Sequence, residues 1–267
     1  MRRQTGLLVD TIRIPGNADP ERLGSNRLLA ALSAGDFSTI APCLDEVELE
    51  SGFVIHEAGA PIEHVHFIHS GMVSQLGAAA DGQSAEVAAI GREGAVGVMA
   101  GLGSPRAVGR AVVQLPVRAA RVPAARLADL VRRSERAHHI VIRSSDVLMA
   151  QVQQTAACNA LHDVQARLSR WLLHAEDRCG GRLRVTQEQI SQLLGVQRTT
   201  ITMVCRVMQS DEVIHIGRGV VDIRDSWALQ KRACSCYHVM RTATERMLQD
   251  VRGTSADAPA AWDGLMT

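Results

Sequence analysis

The residues best equipped for chemistry lie in one run, Val185 to Ser210 (VTQEQISQLLGVQRTTITMVCRVMQS). Gln197, Arg198, Thr199, Thr202 and Arg206 recur there on one face at helical spacing. Amide, guanidinium and hydroxyl groups make hydrogen bonds to base edges and phosphate oxygens. Between Arg182 and Arg206 four arginines stand against a single acidic residue, Glu188. The whole chain has a formal net charge of only +1, so any polyanion partner must meet a local patch of this kind.

Two other groups could do different chemistry. His56, His64, His66 and His69 cluster in sequence, and His64 and His66 form an HxH pair in a β-like run. Alternate residues of a strand share a face, so this pair could hold a metal, as in a cupin-like metalloenzyme. The cupin pattern also wants a glutamate, and none occurs between Phe67 and Ala80. We read these histidines as surface or loop residues and His138-His139 as a solvated helix start. Six cysteines, at 43, 158, 179, 205, 234 and 236, form no CxxC pair. Their low density suits reduced thiols. Cys234-Ser-Cys236 could bind metal or oxidise in a redox-sensing regulator, but we read it as a helix face, and we expect no metal site. Oxidation of Cys205, inside the Arg-bearing helix, would disturb whatever that helix contacts.

The basic run is positioned by a helix-turn-helix. Thr186 is an N-cap with Gln189 three residues on, the spacing of a capping box. Ile190, Leu193 and Leu194 bury the first helix, Gly195 permits the turn, and Val196 packs inside it. A second helix is expected from Gln197 to about Gln209, with Ile201, Val204, Val207 and Met208 inward. Next, VIHIGRGVVDIRD places two β-like runs around Gly217-Arg218-Gly219, a wing with Arg218 at its tip.

Upstream, short apolar runs from Val47 to about Val122 alternate with Ser51-Gly52, Ser70-Gly71 and Asp81-Gly82, which predicts a β-sandwich or barrel. Asn26–Ile40, Ala124–Arg132, His138–Asn159 and Leu161–Asp177 read as helices. In the longest, the stripe Ile140, Val147, Leu148, Val152, Thr155 and Cys158 is expected to be a dimer seam. Residues 1–25 read as an irregular arm and 253–267 as a loose tail. No apolar run reaches the roughly 18 residues that span a bilayer, and Asp10 and Arg13 break the only stretch like a signal. A cytoplasmic protein without membrane contact is expected.

With these motifs the chain resembles the Crp/Fnr family of bacterial transcription regulators, over residues 26 to 225. The resemblance lies in EAGAPIEHVHFIHSGMVSQ, in LHDVQARLSRWLLHA with Asp163, Val164 and Arg167, and in the helix-turn-helix and wing. The RTT of the second helix and ACSCY (Ala233 to Tyr237) resemble one subgroup. The resemblance implies an α+β architecture. Residues 1–134 would form a double-stranded β-helix (jelly-roll) like a cyclic-nucleotide-binding domain. Residues 135–160 would be a dimerisation helix, and residues 161–267 a winged helix-turn-helix with a C-terminal extension. It implies a non-enzymatic homodimer on double-stranded DNA, with RNA polymerase as a further partner. The DNA-binding set is Gln197, Arg198, Thr199, Thr200, Thr202, Met203, Arg206 and Arg218, flanked by Thr186 and Gln187. Arg198 matches the guanine-contacting arginine. Thr199 replaces a glutamate and Met203 an arginine, so the usual half-site is not expected. Val98 stands where cyclic-AMP binders have glutamate, Ala107 follows Arg106 in place of serine, and Val152-Gln153 replaces the adenine-facing Thr-Ser. Arg106 is the one cofactor-binding candidate left, and cyclic AMP is not expected as effector. Cys43 is the only cysteine before Cys158, so no iron–sulfur cofactor is expected.

Overall fold

A computed structural model describes residues 12–13, 25–79 and 82–253. The expected arm and tail lie largely outside this range, as does Asp81.

The front of the chain is an antiparallel seven-stranded sheet in the order β1-β2-β7-β4-β5, with β3 also on β7 and β6 on β4. Its strands are β1 (Ile12–Arg13), β2 (Asp45–Leu49), β3 (Val54–His56), β4 (His64–Ala78), β5 (Ser84–Ile90), β6 (Ala95–Val96) and β7 (Arg110–Pro123). The long strands β4 and β7 pair along their length, and three register shifts bend the pair so that the sheet rolls over itself. Ser70-Gly71 is therefore not a turn, as its composition suggested, but part of a bulge within β4. Gly71 has φ +91°, and a Cβ there would lie 2.1 Å from the Pro116 carbonyl oxygen, so only glycine fits. The roll is filled by Val47, Leu49, Ile68, Val73, Val113 and their neighbours, with Leu148 of the following long helix packed against them.

Helices follow: α2 (Ala124–Arg133), α3 (Glu135–Leu161), α4 (Val164–Cys179), α5 (Gln187–Leu194), α6 (Arg198–Ser210), α7 (Ser226–Arg232) and α8 (Cys236–Gly253), after a short α1 (Ala34–Ile40) near the start. The long helix α3 contains neither Gly nor Pro, and the Ser134 side chain caps it by accepting from the Ala137 N–H. Asp163 caps α4 in the same way through Ala166. Leu161 thus ends α3 and does not open α4, and it is exposed.

Most of the stripe expected as a dimer seam is used within the chain, Val152 being only half buried. Ile140 packs in the core under the sheet. Gln151 and Thr155 line a cleft that α8 closes, and Cys158 packs on Cys234 and Cys236. The cause is α8, which lies along α3 and is tied to it through Arg143–Asp250. What α3 leaves outward is a different row, Ile142, Met149 and Ala156, spaced by seven residues.

The sheet and the C-terminal helices share one core. Met72, Ala89 and Leu115 of the sheet pack in the same cluster as Leu168, Trp171 and Leu172 of α4 and Ile190, Ile201 and Met208 of α5 and α6. Arg178 of α4 donates to Glu93, beside β5, and both side chains are nearly sealed from solvent. No helix among the described residues is long and apolar enough to cross a membrane.

Candidate nucleic-acid interface

The helix-turn-helix forms as its local signals dictate. The Thr186 side chain accepts from the Gln189 N–H, and the Gln189 side chain accepts from the Thr186 N–H, completing the capping box. Helix α5 ends at Gly195, whose φ of +62° is a left-handed turn conformation costly for other residues. Gln197 has extended backbone and opens α6. Ile190, Leu193 and Leu194 on α5 and Ile201 and Met208 on α6 are buried, as expected. Two positions differ. Val207 is half exposed, and Cys205 takes the inward place one turn behind Ile201. The helical period puts 201, 205 and 208 on one line, so 207 necessarily turns out. Burial pushes the Cys205 thiol up to about 11, which makes it a packing residue and a poor target for oxidants.

The outward face of α6 presents Arg198, Thr199, Met203 and Arg206. The Arg198 side chain is 68% exposed, with its Nε 3.8 Å from Glu188, a loose pair that leaves the guanidinium ready for another acceptor. Gln197 stands exposed beside it. Thr200 and Thr202 are half buried, and Thr202 donates to the Gln187 side chain at 2.8 Å. That bond fixes the angle between the helices and occupies two of the residues expected on DNA. Thr186 is exposed at the start of α5.

The wing is a three-stranded sheet in the order β8-β10-β9: β8 (Arg182–Leu183), β9 (Ile214–Gly217) and β10 (Val220–Ile223). Gly217 pairs with Val220, so Arg218-Gly219 is a two-residue turn, and Gly219 takes φ +72°. The turn leaves Arg218 exposed at the tip. The Gln209 side chain accepts from the Ile216 N–H at 2.8 Å, holding the wing to the end of α6. Arg198, Arg206 and Arg218 therefore sit on one rigid unit.

Other expected sites are placed differently. Arg106 is exposed and donates to the Gly59 carbonyl at 2.8 Å, while Val98 is buried. His66 and His69 are not surface or loop residues. Both are buried on β4, where Ser25 and Asn26 bond to the strand at His69 and Ile68. His69 bonds Ser25 at 2.9 Å and faces Glu46 across 3.3 Å. Desolvation holds His66 down at about 3.

A model of the cyclic nucleotide-binding domain matches residues 46–134, and a model of the Crp-like helix-turn-helix domain matches residues 166–232. Together the two matches span more than half of the chain, in the order front roll, then helix-turn-helix. The chain belongs to the Crp/Fnr family. It is a Crp/Fnr-type transcription regulator with a helix-turn-helix DNA-binding domain. Solved structures share the fold of this Crp/Fnr protein. FixK2 from Bradyrhizobium japonicum has a TM-score of 0.62 at 14% identity, covering 72% of this chain and 98% of that one. A Eubacterium rectale protein described as a regulator of the Crp/Fnr family has a TM-score of 0.62 at 17% identity, covering 76% and 96%. The c-di-GMP responsive global regulator CLP of Xanthomonas campestris has a TM-score of 0.58 at 19% identity, covering 72% and 99%. No curated protein matches the chain.

Proposed function

We propose that this regulator works as a homodimer that reads a two-fold DNA site through Arg198. The observation that carries the reading is the exposed face of α6, where Arg198 stands with Gln197, Thr199, Met203 and Arg206 around it. A bidentate arginine on guanine is worth about 1–3 kcal/mol of discrimination. Arg206 and Arg218, with Thr186 at the start of α5, act on phosphates and set orientation. Gln187 and Thr202 act behind them by holding the two helices at their angle.

In this reading residues 1–134 form the sensor-like domain, 135–160 the dimerisation helix and 161–267 the DNA-binding unit with its extension. The outward row Ile142, Met149 and Ala156 supports self-association along α3, since a seven-residue apolar repeat is the seam of paired helices. Two recognition helices would then enter successive major grooves roughly 34 Å apart. Cyclic AMP is not the effector in this reading. The exposed Arg106 is already engaged with Gly59, and the roll is packed with aliphatic side chains.

The test is a binding selection on random duplex DNA, without added ligand, using wild type and Arg198→Ala. Enrichment of a two-fold site by wild type, lost in the variant, supports the reading. Enrichment only with cyclic AMP present overturns the effector part, and equal enrichment by both proteins overturns the role of Arg198.

A further inference from the structure

The end of α3 and the start of α8 bring together residues that the DNA-binding reading does not use. Cys158 lies in the last turn of α3, and His162 follows the end of that helix with extended backbone. Cys234 lies between α7 and α8, and Cys236 is the first residue of α8. The three Sγ atoms and one histidine nitrogen all lie within 4.8 Å of one another. The Cys158 and Cys234 sulfurs are 3.5 Å apart, and the Cys236 sulfur is 3.6 Å from His162 Nδ1. All three cysteines are buried and His162 is half buried.

We propose that Cys158, His162, Cys234 and Cys236 form a closed tetrahedral site for one thiophilic divalent ion, with zinc as the occupant. The spacing argues for a single ion. Zn–S bonds of ~2.3 Å and Zn–N bonds of ~2.0 Å at tetrahedral angles put neighbouring ligand atoms ~3.5–3.8 Å apart, which matches both close pairs. Ligands crowded within 4.8 Å cannot spread over the several irons of a cluster. Three soft thiolates and one imidazole select zinc over magnesium or calcium. Binding forms three Zn–S bonds and one Zn–N bond, and the three thiol protons leave to solvent.

The surroundings suit such a centre. Three thiolates and one Zn²⁺ carry a net charge of −1, and the buried guanidiniums of Arg167 and Arg170 both act on Cys158. The Nε of each has no hydrogen-bond partner among the described residues. Gln154 points its side-chain amide at the Cys236 sulfur at 3.0 Å, the kind of outer contact that orients a metal-bound thiolate. With four protein ligands no position stays open, so the ion is structural. It ties the end of the long helix, where the chain turns into the DNA-binding unit, to the C-terminal helix. This site stands apart from the DNA-contact reading and is tested separately.

The test uses the full-length protein, untagged and kept reduced. Metal analysis of purified wild type is expected to give about one zinc per chain. After chelation, titration with Co²⁺ should give the intense visible bands of tetrahedral cobalt thiolate, saturating near one equivalent. Cys158→Ser and Cys236→Ser should each lose at least tenfold in Co²⁺ affinity. His162→Ala should keep a weaker site with a shifted spectrum, which serves if a cysteine variant fails to fold. Cys43→Ser and Cys179→Ser should match wild type. Folded, reduced wild type that takes up no Co²⁺ in tetrahedral form would overturn the proposal. So would a Cys158–Cys234 disulfide in protein isolated without oxidant, or equal binding by all the variants.

Discussion

Replacing Glu93 with Gln should cost this protein about 3–5 kcal/mol, the penalty for breaking a buried ion pair from one side. Arg178 and Glu93 have side chains only 11% and 10% exposed, so water cannot take over the lost charge. Arg178 Nε lies 3.1 Å from Glu93 Oε1, and its Nη1 donates to the His174 carbonyl at 2.9 Å. At an effective dielectric of ~20, two unit charges ~3.5 Å apart interact by ~5 kcal/mol, the same range by a second route. Glu93→Gln keeps the volume and the acceptor oxygen but strands a buried guanidinium. For a chain of this length the loss corresponds to a fall in Tm of roughly 6–20 °C. Thermal and urea unfolding of Glu93→Gln, Arg178→Met and the double variant give the cycle. The double variant should be more stable than Glu93→Gln alone, because removing both charges removes the stranded one. The fall should also be similar at ~0.1 M and ~1 M salt, since buried pairs are weakly screened. A Glu93→Gln protein within ~0.5 kcal/mol of wild type would refute the reasoning, because that is the range of an exposed pair.

Further outcomes are expected. Arg198→Ala should lose about 5–150-fold in preference for its site over single-base variants, measured by competition binding. Arg218→Ala should weaken all duplexes about equally and reduce the salt slope by ~1. Met149→Glu, at an outward position on α3, should shift the protein to monomer in sedimentation analysis; an unchanged dimer would place the seam elsewhere. His66 is neutral when folded, held at about 3 by burial. The unfolded chain takes up its proton near ~6.5, so stability present above that pH is lost as pH falls toward 3. At pH 5 the loss from this group is about 2 kcal/mol, and His66→Gln should remove one proton from the slope of stability against pH. Gly71→Ala should destabilise the roll by at least ~3 kcal/mol in urea unfolding, combining a strained φ with a backbone clash.

The helix-turn-helix was readable because its determinants are local. Thr186 and Gln189 make a cap within one turn, and Gly195 marks its own conformation. The β region was readable from turn residues, but Ser70-Gly71 was misleading, because a glycine that serves a bulge looks the same in sequence as one that serves a turn. What was not legible depends on distant chain segments. His69 meets Ser25 and Glu46, both far from it in sequence. The apolar stripe of α3 was visible, but its partner was not, since nothing local to residues 140–158 announces that α8 returns along that face. The same return brings Cys234 and Cys236 to Cys158 and His162. The i, i+4 spacing of Cys158 and His162 was the one signal in sequence that could have been joined to the CxC pair.

The core shared by Met72 and Leu115 of the roll with Trp171, Ile190 and Ile201 has a mechanical consequence. The reading head is not a detachable tool on a swivel. A fragment starting at residue 161 would carry a bare apolar socket where the roll had been, and would be expected to aggregate rather than bind DNA. A chimaera that fits this head to a foreign sensor would need its socket recut to match. A signal entering the roll would reach the DNA as a tilt of one stiff lever, because the seat of the helices is built into the sheet itself.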